Sequence, residues 1–243
     1  MSQSNSDGPR SARERLQDQR QREEASAKRL RWLKIGGVLI FVAGVGTLVG
    51  VNVTVGKQTS IPARPVETGA GDAPVTMTVW EDFRCPACGQ FEKTFRSTIN
   101  DLRDHGKLGV NYQLVTIIDE NMGGTGSKQA ANAALCAHKM NHFVGYHDVL
   151  YKNQPPEDED KFADNGYLIE LAGKVPALSS PEFEQCVRSG EMNGRVKKMV
   201  KGFRQSGYDS TPTVLLDGKQ IYPPKDGEKL TPQRLRKMVE SKQ

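Results

Sequence analysis

The sequence predicts an α/β domain with an inserted helical block, carried behind a single N-terminal membrane-spanning helix. Three observations predict it: an uncharged run of 21 residues from Ile35, a strand–turn–helix–strand pattern opening at Val75, and strand character resuming at Thr213 after some 85 residues of helical pattern. A chain of 243 residues holds one ordinary domain plus extras. Its net charge of +5 belongs mainly to residues 1–34, where nine Lys/Arg stand against five Asp/Glu, so residues 35–243 carry only +1. A nucleic-acid-binding domain would concentrate its basic residues on the folded part, so that class is set aside.

The run Ile35–Val55 spans roughly 31 Å as a helix, one bilayer core. Its N-terminal flank, Lys28-Arg29-Leu30-Arg31-Trp32-Leu33-Lys34, is basic with an interfacial Trp, whereas Lys57 and Arg64 follow it sparsely. The positive-inside rule then places residues 1–34 in the cytoplasm as a basic tail and the domain outside the cell membrane. A cleaved signal peptide is the competing reading. It fits less well, because the apolar run exceeds the roughly 7–15 residues of such a region and no Ala-x-Ala site follows. Residues 56–73, with two prolines and three glycines, read as a tether, and the domain is expected over 74–243.

Within the domain, Val75-Thr76-Met77-Thr78-Val79-Trp80 is β-branched and aromatic, a buried strand. Pro86 opens a helix whose Phe91, Phe95, Ile99 and Leu102 share one face. Leu108 to Ile118 reads as a second strand. A helical insertion follows over about 122–207, with Ser127–Lys139, the stretch containing Phe143, Tyr146 and Leu150, a Ser180-Pro181 helix start, and Val196/Met199/Val200/Phe203. Thr213-Val214-Leu215-Leu216, the Asp217-Gly218 turn and Gln220-Ile221-Tyr222 form a hairpin, and Thr231-Pro232 opens a last helix carrying Leu235, Met238 and Val239.

Chemistry concentrates in Cys85-Pro86-Ala87-Cys88, at the start of the first helix. Two cysteines at this spacing can close a small disulfide, and the helix N-terminus places partial positive charge and unpaired N–H groups beside the first sulfur. That favours the Cys85 thiolate and makes Cys85 the better leaving group in disulfide exchange. Arg84 would add to the effect if its side chain turned toward the sulfur. Cys88, one turn in, should be more buried and less acidic. Half a zinc site is the alternative for this motif, but Cys136 and Cys186 are too far apart for a second knuckle and His138 and His142 lie on their own helix, so no metal site is expected. Cys136 and Cys186, outside the cell on this topology, are expected to form a structural disulfide, with two buried thiols as the alternative. Gly123-Gly124-Thr125-Gly126-Ser127-Lys128 lacks the order of a phosphate loop and reads as a turn opening a helix. Ser210-Thr211-Pro212-Thr213 sits at a strand start, where a proline ordinarily marks an edge.

Glu81-Asp82-Phe83-Arg84-Cys85-Pro86-Ala87-Cys88, the Ala-rich segment Ala130–Ala137, Phe143 with Tyr146-His147-Asp148-Val149-Leu150, and Ser210-Thr211-Pro212-Thr213 together resemble the DsbA-like thiol-disulfide oxidoreductases of the thioredoxin superfamily, in their membrane-anchored Gram-positive and actinobacterial form. The resemblance covers 74–243. It implies a thioredoxin fold with a helical insertion, Cys85 as nucleophile, Cys88 as resolving cysteine, Pro212 as a cis-proline facing the active site, and Thr211 presenting its backbone to an extended substrate. The redox-active cysteine pair then needs no further cofactor. One departure stands out: many thioredoxin-fold enzymes carry a buried acid six residues before the first cysteine, and here that position is Val79, with Glu81 and Asp82 nearer.

The implied function is an extracytoplasmic enzyme that introduces disulfides into exported proteins and is reoxidised by a membrane partner. A reductase or isomerase serving cytochrome c maturation or disulfide repair would use the same motif in the other direction. An idle thioredoxin-fold binding module of the cell envelope is the third reading, and it leaves the retention of both cysteines at a helix start unexplained.

Overall fold

The computed structural model describes residues 64–224 and 227–242. The tail expected over 1–34, the span over 35–55 and the first part of the tether lie outside the described residues. Among the described residues no helix is long and apolar enough to cross a membrane.

A five-stranded sheet in the order β1-β3-β2-β4-β5 forms the centre. β1 (Val66–Thr68), β2 (Val75–Glu81) and β3 (Leu108–Leu114) precede the helical block, and β4 (Thr213–Leu216) and β5 (Lys219–Tyr222) follow it. β2 and β3 run parallel, joined by α1 (Pro86–Asp104); the other pairs are antiparallel. A parallel pair needs a crossover connection, which is why the long helix sits between these two strands. The β4–β5 turn has Asp217 and Gly218 at φ 48° and 79°, the left-handed pair that a two-residue hairpin needs. The helical block runs through α2 (Ile117–Met122), α3 (Gly126–Lys139), α4 (Phe143–Lys152), α5 (Asn165–Ala172), α6 (Pro181–Ser189) and α7 (Asn193–Ser206), and α8 (Pro232–Glu240) closes the chain.

Two of the three expected proline-led helix starts are capped by a side chain, Ser180 Oγ accepting from Phe183 N–H and Thr231 Oγ1 from Arg234 N–H, whereas Cys85 before Pro86 makes no such bond. One face of α1 buries Phe91, Phe95, Ile99 and Leu102, and Tyr222 of β5 packs on Phe91 with ring centroids 5.3 Å apart. On α7, Phe203 meets Trp80 of β2 at 5.4 Å. The alanines of α3 are buried, and the fully buried Asn132 on the same helix binds Val187 O and Met192 N, at 3.1 and 2.9 Å, fastening the end of α6 and the turn after it.

Three expectations need correction. The tether expected over 56–73 is shorter, because Val66 is fully buried and pairs with Tyr112 across β1–β3; three strand residues between Pro65 and Gly69 show too little alternation to read. The strand expected over 108–118 ends at Leu114. Val115 N–H still reaches Glu81 O at 2.9 Å, but Ile118 N–H turns to Asp82 Oδ2 at 2.9 Å and the chain winds into α2. A short apolar run looks the same in a buried strand and a buried helix, so the sequence pattern hides this switch. Finally, His138 and His142 do not share a helix: Asn141, at φ 61°, follows the end of α3, and His142 stands at the N-cap of α4.

Cys136 and Cys186 are joined, with S–S 2.03 Å and Cα–Cα 5.9 Å, tying α3 to α6. Closing a loop of this length restricts the unfolded chain. The Cys136→Ser/Cys186→Ser variant is therefore expected to lose about 4 kcal/mol of stability in the chain-entropy picture, read as a lower urea midpoint without reductant, with Cys85→Ser/Cys88→Ser present in both proteins.

Candidate active site

The site follows from the sheet register. β2 and β4 are antiparallel with Trp80 opposite Thr213, so the end of β2 and the start of β4 lie side by side. The first edge leads into Cys85 and the second is entered through Thr211–Pro212, whose peptide bond is cis. Cys85 Sγ lies 3.3 Å from the Thr211 carbonyl oxygen, 126 residues away in sequence.

Cys85 occupies the N-cap of α1 with Pro86 behind it, and both Cys85 and Cys88 are free thiols. Their environments separate them. The Cys88 thiol donating to Cys85 Sγ is the largest influence on Cys85 and favours its thiolate. Burial opposes it, and the Thr211 side chain and the N–H groups of Cys88 and Ala87 add support, holding the Cys85 pKa down at about 6. The Thr211 carbonyl can accept only from the thiol form, so its contact is given up on ionisation. Cys88 is 1% exposed; burial, the bond to Cys85 and the Glu81 charge push its pKa well above the ordinary thiol range. Asp82 N–H, 3.5 Å from Cys88 Sγ, is the opposing influence.

Arg84 does not turn toward the sulfur. Its guanidinium, 3% exposed, reaches Asp119 at 2.8 Å and Asp160 at 3.0 Å and donates to the carbonyls of Gly123 and Glu157. The same carboxylates cap α3: Asp160 accepts from Thr125 and Gly126 N–H, Asp119 from Ser127 and Lys128 N–H, all at 2.9 Å. The Gly-rich segment 123–128 is thus the turn opening α3. Its N-terminal charge is met by two carboxylates, and theirs in turn by Arg84. Gln154 fixes the cysteine loop from the other side, donating to Phe83 O at 2.8 Å and Cys85 O at 2.9 Å. A Cβ at position 89 would run into this amide, which explains the glycine one residue after Cys88.

Beneath the cysteines, Val79 is an apolar core residue, and the buried acids are Glu81 on β2, Asp82 just after it and Glu92 on α1. His147 of α4 bonds Glu81 through Nε2–Oε1 at 2.9 Å. Burial by itself would lower the His147 pKa, but the Glu81 carboxylate and Asp148 overturn this and hold it at about 10; burial lifts Glu92 to about 7. Ligand atoms of Glu81, Glu92 and His147 lie within 4.8 Å of one another, close enough to hold a cation. The imidazolium offsets the Glu81 charge. Asp82, also lifted to about 7 by burial, accepts from Arg84 and Ile118 N–H. Sequence reasoning did not find the roles of Arg84, Gln154, Glu92 and His147. Val79 and Glu81 are two apart on one strand and so face the same side, which was the available signal for Glu81.

Residues 62–241 match the family described as Thioredoxin. The chain belongs to that family. Disulfide bond formation protein D of Bacillus subtilis is 27% identical over 173 residues, 70% of this chain and 75% of the relative. Among solved structures, the reduced disulfide bond oxidoreductase DsbG of Mycobacterium tuberculosis matches with TM-score 0.63 and 28% identity, covering 74% of this chain and 88% of that one. Oxidised DsbA of the same organism gives 0.62 and 28%, covering 73% and 91%. The chain is a thiol-disulfide oxidoreductase of the DsbA type.

Two outcomes are expected. Alkylation of the reduced enzyme by iodoacetamide, mapped by mass spectrometry, should modify Cys85 with a midpoint near pH 6 and leave Cys88 unmodified at pH 7; equal labelling of both sulfurs would refute the asymmetry. Replacing Arg84 by Met should strand two carboxylates and cost about 3 kcal/mol, the low end for breaking a buried ion pair because Asp160 is partly solvated. That would appear as a drop of roughly 6–12 °C in Tm.

Proposed function

We propose that the enzyme works as an oxidase, introducing disulfides into exported proteins outside the membrane, with Cys85 as the attacked and leaving sulfur and Cys88 as its internal partner. The observation that carries the proposal is the contrast between the two sulfurs: a Cys85 thiol whose pKa is held down at about 6 at the N-cap of α1 and a more deeply buried Cys88 thiol pushed the other way one turn on.

In the forward direction a client thiolate attacks Cys85 of the Cys85–Cys88 disulfide. The S–S bond breaks, Cys88 leaves with the electron pair and takes up a proton, and a client–Cys85 mixed disulfide remains. A second client thiolate attacks the client sulfur and expels Cys85 as thiolate. The client has lost two electrons and the enzyme has gained them; a thiol oxidant in the membrane must then remove them. Thr211, before the cis peptide, has the backbone position to pair with an extended client strand. The name of the Bacillus subtilis relative, a disulfide bond formation protein, supports the oxidising direction. The basic flank before Ile35 supports the extracytoplasmic placement.

The Cys85 pKa is depressed on folding, so ionisation stabilises the reduced enzyme. That contribution is full above the unfolded thiol's pKa, shrinks as pH falls, and is lost below about pH 6. At pH 7 it amounts to about one decade, or about 30 mV for a two-electron couple.

In glutathione buffers at pH 7, the Cys85/Cys88 couple of the full chain in non-ionic detergent is expected at or above the roughly -180 mV of protein disulfide isomerase, toward the roughly -120 mV of DsbA. Its excess over a variant with an ordinary thiol pKa should fade toward pH 5. A value near the roughly -270 mV of thioredoxin would overturn the oxidase direction.

A further inference from the structure

As a sequence, residues 64–243 hold equal numbers of basic and acidic side chains, yet α7 carries Arg195, Lys197, Lys198, Lys201 and Arg204 with no acid in its 14 residues. Lys197, Lys201 and Arg204 recur at i, i+4 and i+7, so they share one exposed face. That face borders a groove of about 640 Å³, whose other charged wall is Lys128 at the start of α3 and whose apolar lining comes from Val196 and Val200. Among the described residues, Lys128, Lys197 and Lys201 have no ion-pair partner; Arg204 pairs with Glu120 at 2.6 Å. Like charges at i, i+4 weaken a helix, so nothing in the stability of α7 explains Lys197 beside Lys201.

The groove does not end there. A second hollow of about 310 Å³ shares Thr116, Val200 and Arg204 with it and continues past Phe203 to Tyr208; this end carries two carboxylates, Glu120, which is paired with Arg204, and Asp209. The two hollows share lining residues and so form one trough along α7, whose Asp209 end lies two residues in sequence from Thr211, whose carbonyl faces Cys85 Sγ. From Gly194 to Arg204 it extends roughly 15 Å, room for about four extended residues.

We infer that this trough binds an acidic segment of the client polypeptide, flanking the cysteine that is joined to Cys85. The inference rests on the thiol-disulfide exchange proposed above, but not on its net direction. The occupant follows from charge complementarity: the unpaired Lys128, Lys197 and Lys201 on the two walls of the larger hollow attract carboxylates, speeding encounter and fixing the register of a chain already tethered at Cys85, while the Asp209 end favours an uncharged stretch of the same chain. The apolar floor, buried at Val196 and half-buried at Val200, takes side chains between the carboxylates.

The test uses a reaction that proceeds whichever way the enzyme works in the cell. In a full-length Cys88→Ser chain in non-ionic detergent, Cys85 thiolate attacks peptides carrying one cysteine as its thionitrobenzoate mixed disulfide. A Cys85–peptide disulfide forms and coloured thionitrobenzoate leaves with the electron pair. Peptides of identical length place four Asp/Glu, four Ser or four Lys beside the cysteine. The acidic peptide is expected to react about tenfold faster than the Lys peptide at low ionic strength, with the advantage shrinking in 0.5 M salt. K197E/K201E should abolish the advantage while leaving the Ser peptide rate unchanged. Equal rates for the three peptides, or an acidic preference that survives K197E/K201E, would overturn the inference. So would unchanged peptide rates combined with loss of binding to phosphatidylglycerol vesicles in the variant, since α7 would then face anionic lipid. A thioredoxin-like redox potential would remove the oxidase direction and leave these rates as informative as before.

Discussion

The arrangement of the active site depends on one buried guanidinium. Arg84 immediately precedes the reactive cysteine, yet its charge is spent on Asp119 and Asp160, which hold the first turn of α3. The sheet-borne cysteine loop and the helical block are thereby joined through a chain of charge: helix N-terminus to carboxylates, carboxylates to Arg84, Arg84 by its backbone to Cys85. The first two links are charge-assisted, and such bonds are shorter and stronger than neutral ones; the third is the peptide bond itself. Removing any one leaves a poorly hydrated charge without its partner, so the block and the loop hold each other in place. Gln154 on the opposite side adds a neutral restraint on the same few peptides.

With the loop fixed, the two sulfurs differ because of where the helix places them. Cys85 at the N-cap sees N–H groups and the Cys88 thiol; Cys88, one turn on, sees apolar side chains and the Glu81 carboxylate. No residue between them carries a charge, so Pro86-Ala87 tunes the pair through backbone geometry and not through side-chain electrostatics. The thiolate effect alone is worth about 30 mV at neutral pH, a minor part of the roughly 150 mV separating thioredoxin from DsbA. The rest of an oxidising potential must come from other interactions that favour the dithiol over the disulfide.

Much of this was legible in the sequence because local rules and the global fold agree. The strand into Cys85, the proline-led helices and the Asp217-Gly218 hairpin follow from spacing and turn chemistry, and the pairing of Cys136 with Cys186 was expected from an oxidising compartment and an even cysteine count. What was not legible depends on partners distant in sequence. Arg84 reads as a cation beside a thiolate, and only Asp119 and Asp160, 35 and 76 residues away, show where its charge goes. β1 is three residues long and exists because β3 offers it an edge. The switch from β3 to α2 is made by Asp82 capturing Ile118 N–H, a long-range bond invisible to periodicity.

Val79 shows how a pattern misleads when read by position and not by face. An acid at that site would sit on the sheet face turned toward α1 and α4; here Val79 fills that place with carbon, and the carboxylate stands two residues later on the same face. A shift of two residues moves it roughly 7 Å toward the cysteines. At that position Glu81 meets His147, which balances its charge, and it remains close enough to oppose ionisation of Cys88. The alternation of a strand makes this the smallest displacement that keeps the group buried on the same side. A move to position 80 would have placed the charge on the other face, where Trp80 packs on Phe203. The acid is therefore present in this site, and its new partner is a histidine supplied by the inserted helices.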